Sequence, residues 1–272
     1  MTRGYIIPIG GAEEKHNEPH VLRRFVKLCG GRHARIAVLP TASELRETGQ
    51  RYEQIFSEIG VKEARSLPFA ERRDAERAEW IEWLEGADGV FMTGGNQLRL
   101  SARLGGTRVH EILKQRNASG VHIAGTSAGA AVLSEHMIAY GDEGGSVRAD
   151  MVTLAPGLGL TNLCIVDQHF RQRDRIGRLL SALSFNPFVV GVGLDEDTAA
   201  FIGPDDLLEV HGAGAATIID PADVSHTTME HVKRHEPVSI LGLRVHVLAQ
   251  GASFHLRTRE ARASANVHGH HS

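Results

Sequence analysis

The stretch VHIAGTSAGAAVLSEHM, residues 121–137, changes character abruptly. Apolar residues run from Val121 to Ala124 and stop at Gly125. Ser127 follows, then Gly129 and a series of small residues. An apolar run bounded by glycine reads as a buried strand, and the small residues behind it read as a helix, expected over 128–140. Gly-x-Ser-x-Gly at such a junction permits a tight strand-to-helix turn. Glycines at 125 and 129 have no side chain to clash, so Ser127 can take a strained backbone conformation and expose its hydroxyl. The beginning of a helix favours developing negative charge, and the Ala128 amide would point at an oxyanion. The plainer reading of the same residues is a helix cap with packing glycines.

The alternation continues on both sides of this stretch. Strands are expected over 5–9, 35–39, 89–93, 121–125, 163–167 and 188–194, separated by amphipathic segments at 19–29, 46–60, 73–86, 108–117 and 175–184. Apolar runs of this length alternating with helices indicate βαβ units, and the near-continuous apolar character indicates strands covered on both faces. After residue 198 the segments TAAFIG, LLEVHG, ATIID and SILGLRVHVLAQG follow without helices between them, as antiparallel strands do. The expected architecture is therefore a three-layer αβα sandwich. Its sheet is mostly parallel and doubly wound, with antiparallel strands appended near the C-terminus. One domain is expected over 1–260, with a disordered His-containing tail over 261–272.

In open parallel sheets, sites form beyond the carboxyl ends of the strands. Unusual residues collect at those ends: GGAEEK (10–15), PTAS (40–43), TGGNQ (93–97), GTSAG (125–129), DQH (167–169) and DEDTA (195–199). The Gly-Gly pair in TGGNQ can present backbone N–H groups unobstructed, and Gly95 is the expected second oxyanion donor. His169 is placed to act as general base toward Ser127. A carboxylate should then orient the imidazole. Alternation along DEDTA sends Glu196 opposite to Asp195 and Asp197, but period alone does not say which side faces His169. Arg171, Arg173, Arg175 and Arg178 follow the histidine within eight positions. A solvated helix face is the plain reading of such a run. Next to a nucleophile, its guanidinium forks suit two-point binding of carboxylates, hence an acidic or polyanionic peptide.

The whole-chain properties bound the remaining classes. Among 272 residues, 42% are hydrophobic and 23% charged, and the net charge is −3, which gives no basic field for nucleic acid. No segment approaches the ~20 apolar residues of a membrane span. The two cysteines, Cys29 and Cys164, lie in apolar stretches and read as reduced thiols, with the cytoplasm as the expected compartment. HNEPH (16–20) fails as a zinc helix because of Pro19 and the offset of Glu18. GGAEEK lacks the GxGxxG of a dinucleotide fold. Neither a metal nor an organic cofactor is expected.

TGGNQLRL, GTSAGAA, DQHFRQRDRIGRLL and GVGLDEDTA together resemble the cyanophycinase family of serine hydrolases. That family is related to aspartyl dipeptidase and, in fold, to the class I glutamine amidotransferases. The likeness spans roughly residues 4–255. Cyanophycin is a poly-aspartate backbone with an arginine on each β-carboxyl. The resemblance implies cleavage of that backbone with release of β-Asp-Arg dipeptides. It implies Ser127 as nucleophile, His169 as base and Glu196 as orienting acid. It further implies Gln97, Asp167, Gln168, Arg173, Arg175 and Arg178 as substrate contacts, with Arg171 left on the solvated face. Asn96 stands where many relatives carry Asp. A homodimer is expected by analogy with the family. Two rivals stay open: a serine peptidase of the same fold acting on short Asp-containing peptides, and a non-catalytic binding or sensor domain.

Overall fold

The structure, a computed structural model, describes residues 2–264. Five strands, β1 (Ile6–Ile9), β2 (Arg35–Leu39), β3 (Glu63–Ser66), β4 (Gly89–Met92) and β5 (His122–Thr126), run parallel in the order β1-β5-β4-β2-β3. β1, β2, β4 and β5 are buried along nearly their whole length, as their apolar runs require. β3 is the edge strand, and its sequence EARS carries no apolar run to announce it. Sheet pairing to β2 alone defines it.

Helices cover both faces. On one side α1 (His20–Leu28) and α2 (Thr48–Ile59) bury Leu22, Phe25, Ile55 and Phe56 against Phe91 of β4. The rings of Phe25, Phe56 and Phe91 meet at centroid separations of 5.3 to 6.0 Å. On the other side α3 (Ala78–Glu85), α4 (Gln97–Leu104) and α5 (Arg108–Ala118) bury Leu84, Leu100, Leu104 and Leu113. Each such side chain contributes about 1.5–3 kcal/mol of transfer free energy. The αβα layering expected from the sequence is present.

The segment after Ser127 departs from expectation. The helix over 128–140 stops after one turn, α6 (Ala128–Ala131), and the chain enters β6 (His136–Gly141), which pairs antiparallel with β7 (Val152–Pro156). Tertiary pairing overrides the small-residue helical pattern. Met137, Ile138 and Ala139 are buried in this hairpin.

A second correction concerns β8 (Cys164–Gln168) and β9 (Val190–Leu194), joined by α7 (Ile176–Phe185). They pair with each other in parallel but do not continue the first sheet. β10 (Thr198–Ile202) occupies the outer side of β1 in antiparallel register and is followed by β11 (Leu207–Gly212). β9 is instead extended by β12 (Ala216–Asp220). After a short pair, β13 (His226–Thr227) with β14 (Ile240–Leu241), β15 (Arg244–Leu248) completes a four-stranded sheet ordered β15-β12-β9-β8. β16 (Ser253–His255) and β17 (Ala261–Arg262) return to the edge of the large sheet, making nine strands there. Pairing thus reaches Arg262, two residues beyond the domain end expected at 260. Residues 265–272 of the expected tail lie outside the described residues.

Candidate active site

β5 delivers Ser127 to the first sheet's carboxyl end with φ 52° and ψ −114°. Its N–H donates to the Ile9 carbonyl of β1 at 3.0 Å, which ties the turn to two strands. A Cβ at Gly125 would lie 2.1 Å from the Gly129 carbonyl oxygen, and one at Gly129 would lie 2.3 Å from that of Met92. The two glycines are therefore demanded by backbone-to-backbone contact. A non-glycine residue at positive φ costs about 1–3 kcal/mol and persists only where its surroundings enforce it. Ala12, Ser127, His169 and Asp197 all have positive φ, and they come together here.

His169 follows β8 at φ 50°, with its N–H donating to Gly10 O at 2.7 Å. Its ring lies on Gly11, where a Cβ would approach the ring carbon to 2.4 Å. Ser127 Oγ is 2.9 Å from His169 Nε2, and His169 Nδ1 is 2.6 Å from Glu196 Oε1. An ionised carboxylate only accepts, so Nδ1 carries the proton and Nε2 is left to accept from the serine hydroxyl. The alternation in DEDTA is visible in the side chains. Asp195 is buried on the opposite side, accepting from the N–H groups of Arg171 and Ala215 at 3.1 and 3.2 Å. Asp197 accepts from Glu14 N–H at 2.8 Å. Glu196 alone of the three reaches the imidazole.

Gly94 packs on the serine, where a Cβ would sit 3.3 Å from Ser127 Cβ. Gly95, at φ +140°, packs on the PTAS loop, 2.2 Å from Ala42 O by the same measure. Among the described residues, no acceptor takes the amide hydrogen of Gly95 or of Ala128. Asn96 caps α4, its side-chain oxygen accepting from Leu98 N–H at 2.9 Å. Asp caps equally well, so the local fold tolerates either residue.

The basic segment is arranged differently from a row of open forks. Arg178 Nε donates to Asp167 Oδ2 at 2.6 Å and its Nη2 to Asp167 Oδ1, a two-point pair with both residues at least 95% buried. Arg175 Nη1 donates to the backbone oxygen of Gln168 at 2.5 Å and to its Oε1 at 2.8 Å. Burial first, and then the like charge of Arg178, push the Arg175 guanidinium down to about 10, so it stays charged at neutral pH. Asp167, Arg175 and Arg178 thus pair with one another and with Gln168, as the desolvation of buried charge favours. Arg173 is exposed, Arg171 pairs with Asp195, and Gln97 donates to the carbonyls of Ile138 and Ala139, both at 2.9 Å.

One network escaped the sequence reading. Glu13, 2% exposed, accepts from Tyr52 Oη and Thr126 Oγ1, both at 2.5 Å, with Lys15 Nζ 3.3 Å away. Burial, followed by the Glu13 charge, raises the Tyr52 hydroxyl well above its ordinary value. The signal was GGAEEK itself, a strand-end motif whose first carboxylate turns inward beneath the residue preceding Ser127. Cys29 and Cys164 are unpaired, buried thiols; burial pushes Cys164 up to about 12. Among the described residues, no helix is long and apolar enough to cross a membrane.

Comparison with known proteins extends the local geometry to the whole chain. Cyanophycinase of Trichormus variabilis is 44% identical over 260 residues, covering 95% of this chain and 87% of that protein. Cyanophycinase of Synechococcus elongatus is 45% identical over 260 residues, covering 95% and 81%. Among solved structures, a peptidase from an acI-B1 actinobacterium superposes with TM-score 0.66 at 22% identity over 93% of this chain and 97% of that one, a likeness of fold. The model of peptidase family S51 matches residues 6–210. With three-quarters of its length under that model and relatives this similar across nearly all of it, the chain belongs to peptidase family S51.

Proposed function

We propose that this chain is a serine-type peptidase that hydrolyses the aspartyl main chain of cyanophycin and releases β-Asp-Arg dipeptides. One observation carries the reading: a continuous Ser127–His169–Glu196 hydrogen-bond relay at 2.9 and 2.6 Å on strained loops. The name of the curated relatives, cyanophycinase, supports the substrate.

The mechanism is acyl transfer. His169 Nε2 takes the proton from Ser127 Oγ as that oxygen attacks an aspartyl carbonyl. Glu196 holds the Nδ1–H tautomer and stabilises the imidazolium. The amides of Ala128 and Gly95 receive the oxyanion, each contributing about 3 kcal/mol in comparable sites. The protonated imidazole gives its proton to the departing amine. Water activated by the same nitrogen then releases the acyl group. In this reading Gln97, Asp167, Gln168, Arg173, Arg175 and Arg178 meet the substrate, and the internal pairs among Asp167, Arg175, Arg178 and Gln168 hold that charged wall in place. The active form is a homodimer of the cytoplasm, by analogy with the family for the dimer and supported by the two unpaired thiols for the compartment.

Incubation of the protein with insoluble cyanophycin tests the proposal. Soluble β-Asp-Arg should accumulate, and Ser127→Ala should lower kcat by roughly 10⁶ while still binding polymer. Hydrolysis of Asp-Xaa dipeptides with the polymer untouched would establish the short-peptide reading instead. Equal inertness of wild type and Ser127→Ala on every peptide would leave a binding domain.

A further inference from the structure

The PTAS motif lies on the rim with the catalytic loops, yet none of its side chains takes part in the mechanism above. Beside it opens a cleft of about 390 Å³, bounded by residues 40–46, by the segment 68–70 and by α4. Its exposed apolar surface comes from Leu45, Pro68 and Ala70. Glu44, Arg46, Arg99 and Arg103 supply the charge. Arg99 pairs with Glu44, and Arg103 Nη1 donates to Thr41 O at 3.1 Å. Arg46 is exposed and has no partner among the described residues. Three guanidinium groups thus face one carboxylate, leaving the cleft positive although the chain as a whole is negative.

This cleft is joined to the reacting serine by two residues. Gly94 rests on Ser127, and Gly95 rests on Ala42 and on Ser43, the latter part of the cleft wall. An extended peptide advances about 3.3–3.6 Å per residue, so a chain held at Ser127 carries its next one or two units past the Gly94–Gly95 turn. If the substrate is the arginylated poly-aspartate of the preceding section, every unit ends in an arginine whose α-amino group is acylated. Each branch then presents a carboxylate and a guanidinium joined by three methylenes.

Resting on that reading, we infer that the cleft is a second binding site, which takes the arginyl branch of a neighbouring unit of the bound polymer. Arg46 and Arg103 receive its carboxylate. Glu44 exchanges its internal Arg99 partner for the guanidinium of the branch, an exchange made easy by the exposure of Glu44. The methylenes lie along Leu45 and Pro68. Two-point, oppositely charged recognition fits such a branch better than it fits a simple anion. The cleft thereby favours long chains over the shortest cleavable one, because only a long chain occupies both sites.

The test is Arg46→Ala combined with Glu44→Gln, both exposed and outside the catalytic machinery. Steady-state kinetics are measured on a long soluble cyanophycin fraction and on the shortest fragment the wild type turns over. Loss of charged contacts should raise KM for the long substrate about tenfold, with kcat within about twofold and the short fragment unaffected. An unchanged KM for the long substrate, or an equal change for both, overturns the second site. A wild type inert on both substrates overturns the hydrolase reading and the second site with it. An unchanged melting temperature of the double variant separates binding from folding.

Discussion

At the scale of single residues, the proposed relay rests on which atoms are denied alternatives. Glu196 reaches His169 because Asp195 and Asp197 are engaged elsewhere, by the amides of Arg171, Ala215 and Glu14. Glu196→Gln keeps the size but offers an amide that can donate to Nδ1, so the imidazole can settle in the wrong tautomer. We expect kcat to fall by roughly 10⁴ with little change in KM, read by steady-state kinetics on the polymer. A loss confined to KM would assign Glu196 to substrate binding. His122 shows a different kind of control. Its Nδ1 accepts from Tyr5 N–H at 3.0 Å, and burial lowers its pKa below the usual imidazole range. Protonation would abolish that hydrogen bond. The unfolded chain therefore binds the proton more readily than the folded one, so stability is complete above about pH 6.5 and declines as pH falls below it. In urea titrations, the loss on going to acid should be smaller in His122→Asn, whose side-chain oxygen can accept the same N–H without titrating.

At the scale of elements, the buried pair between β8 and α7 is the test of how the basic segment works. Asp167 lies at 1% exposure and Arg178 at 5%, joined at two points. Arg178→Met removes the two-point partner of Asp167 and leaves it only Arg175, 3.6 Å away; breaking a buried pair in this way costs about 3–5 kcal/mol. Denaturant unfolding should show that loss. A variant as stable as the wild type but with raised KM would assign Arg178 to substrate contact and not to holding the fold. The same logic explains the short α6. Four residues suffice to aim an amide at the serine, after which the chain is needed as β6 in the hairpin that Gln97 braces from α4.

At the scale of the molecule, the site is a seam. Ser127 comes from the nine-stranded sheet, whereas His169 follows β8 of the four-stranded one and Glu196 lies on the crossing from β9 to β10. The geometry of the Ser127–His169–Glu196 relay therefore depends on how two sheets meet, and Gly10 and Gly11 are part of that meeting, as a Cβ on Gly10 would fall 1.9 Å from Asp195 O. Stability should be separable from activity far from the seam. Phe254 on β16 is fully buried. Phe254→Ala should cost about 3–5 kcal/mol through the cavity it leaves while kcat at 25 °C stays near wild type. A large fall in kcat in a folded Phe254→Ala protein would show that the sheet edge communicates with the seam.

Much of this was legible in the chain itself. Apolar runs at 35–39 and 89–93 and the glycine-flanked Ser127 mark strands and a turn because burial on both faces and backbone contact each leave a local signature. The relay could be narrowed to Ser127, His169 and one of three acids, since those side chains sit at strand ends and alternate along an extended segment. Tertiary structure decided what local pattern does not encode. It placed β8 and β9 in a second sheet, because β10 had taken the outer edge of β1. It turned residues 136–141 into a strand, because β7 was there to pair with them. It also closed Arg178 on Asp167. Hydrogen-bond partners and desolvation are set by residues distant in sequence, so a charge run reads the same whether its arginines face solvent, a substrate or a buried carboxylate.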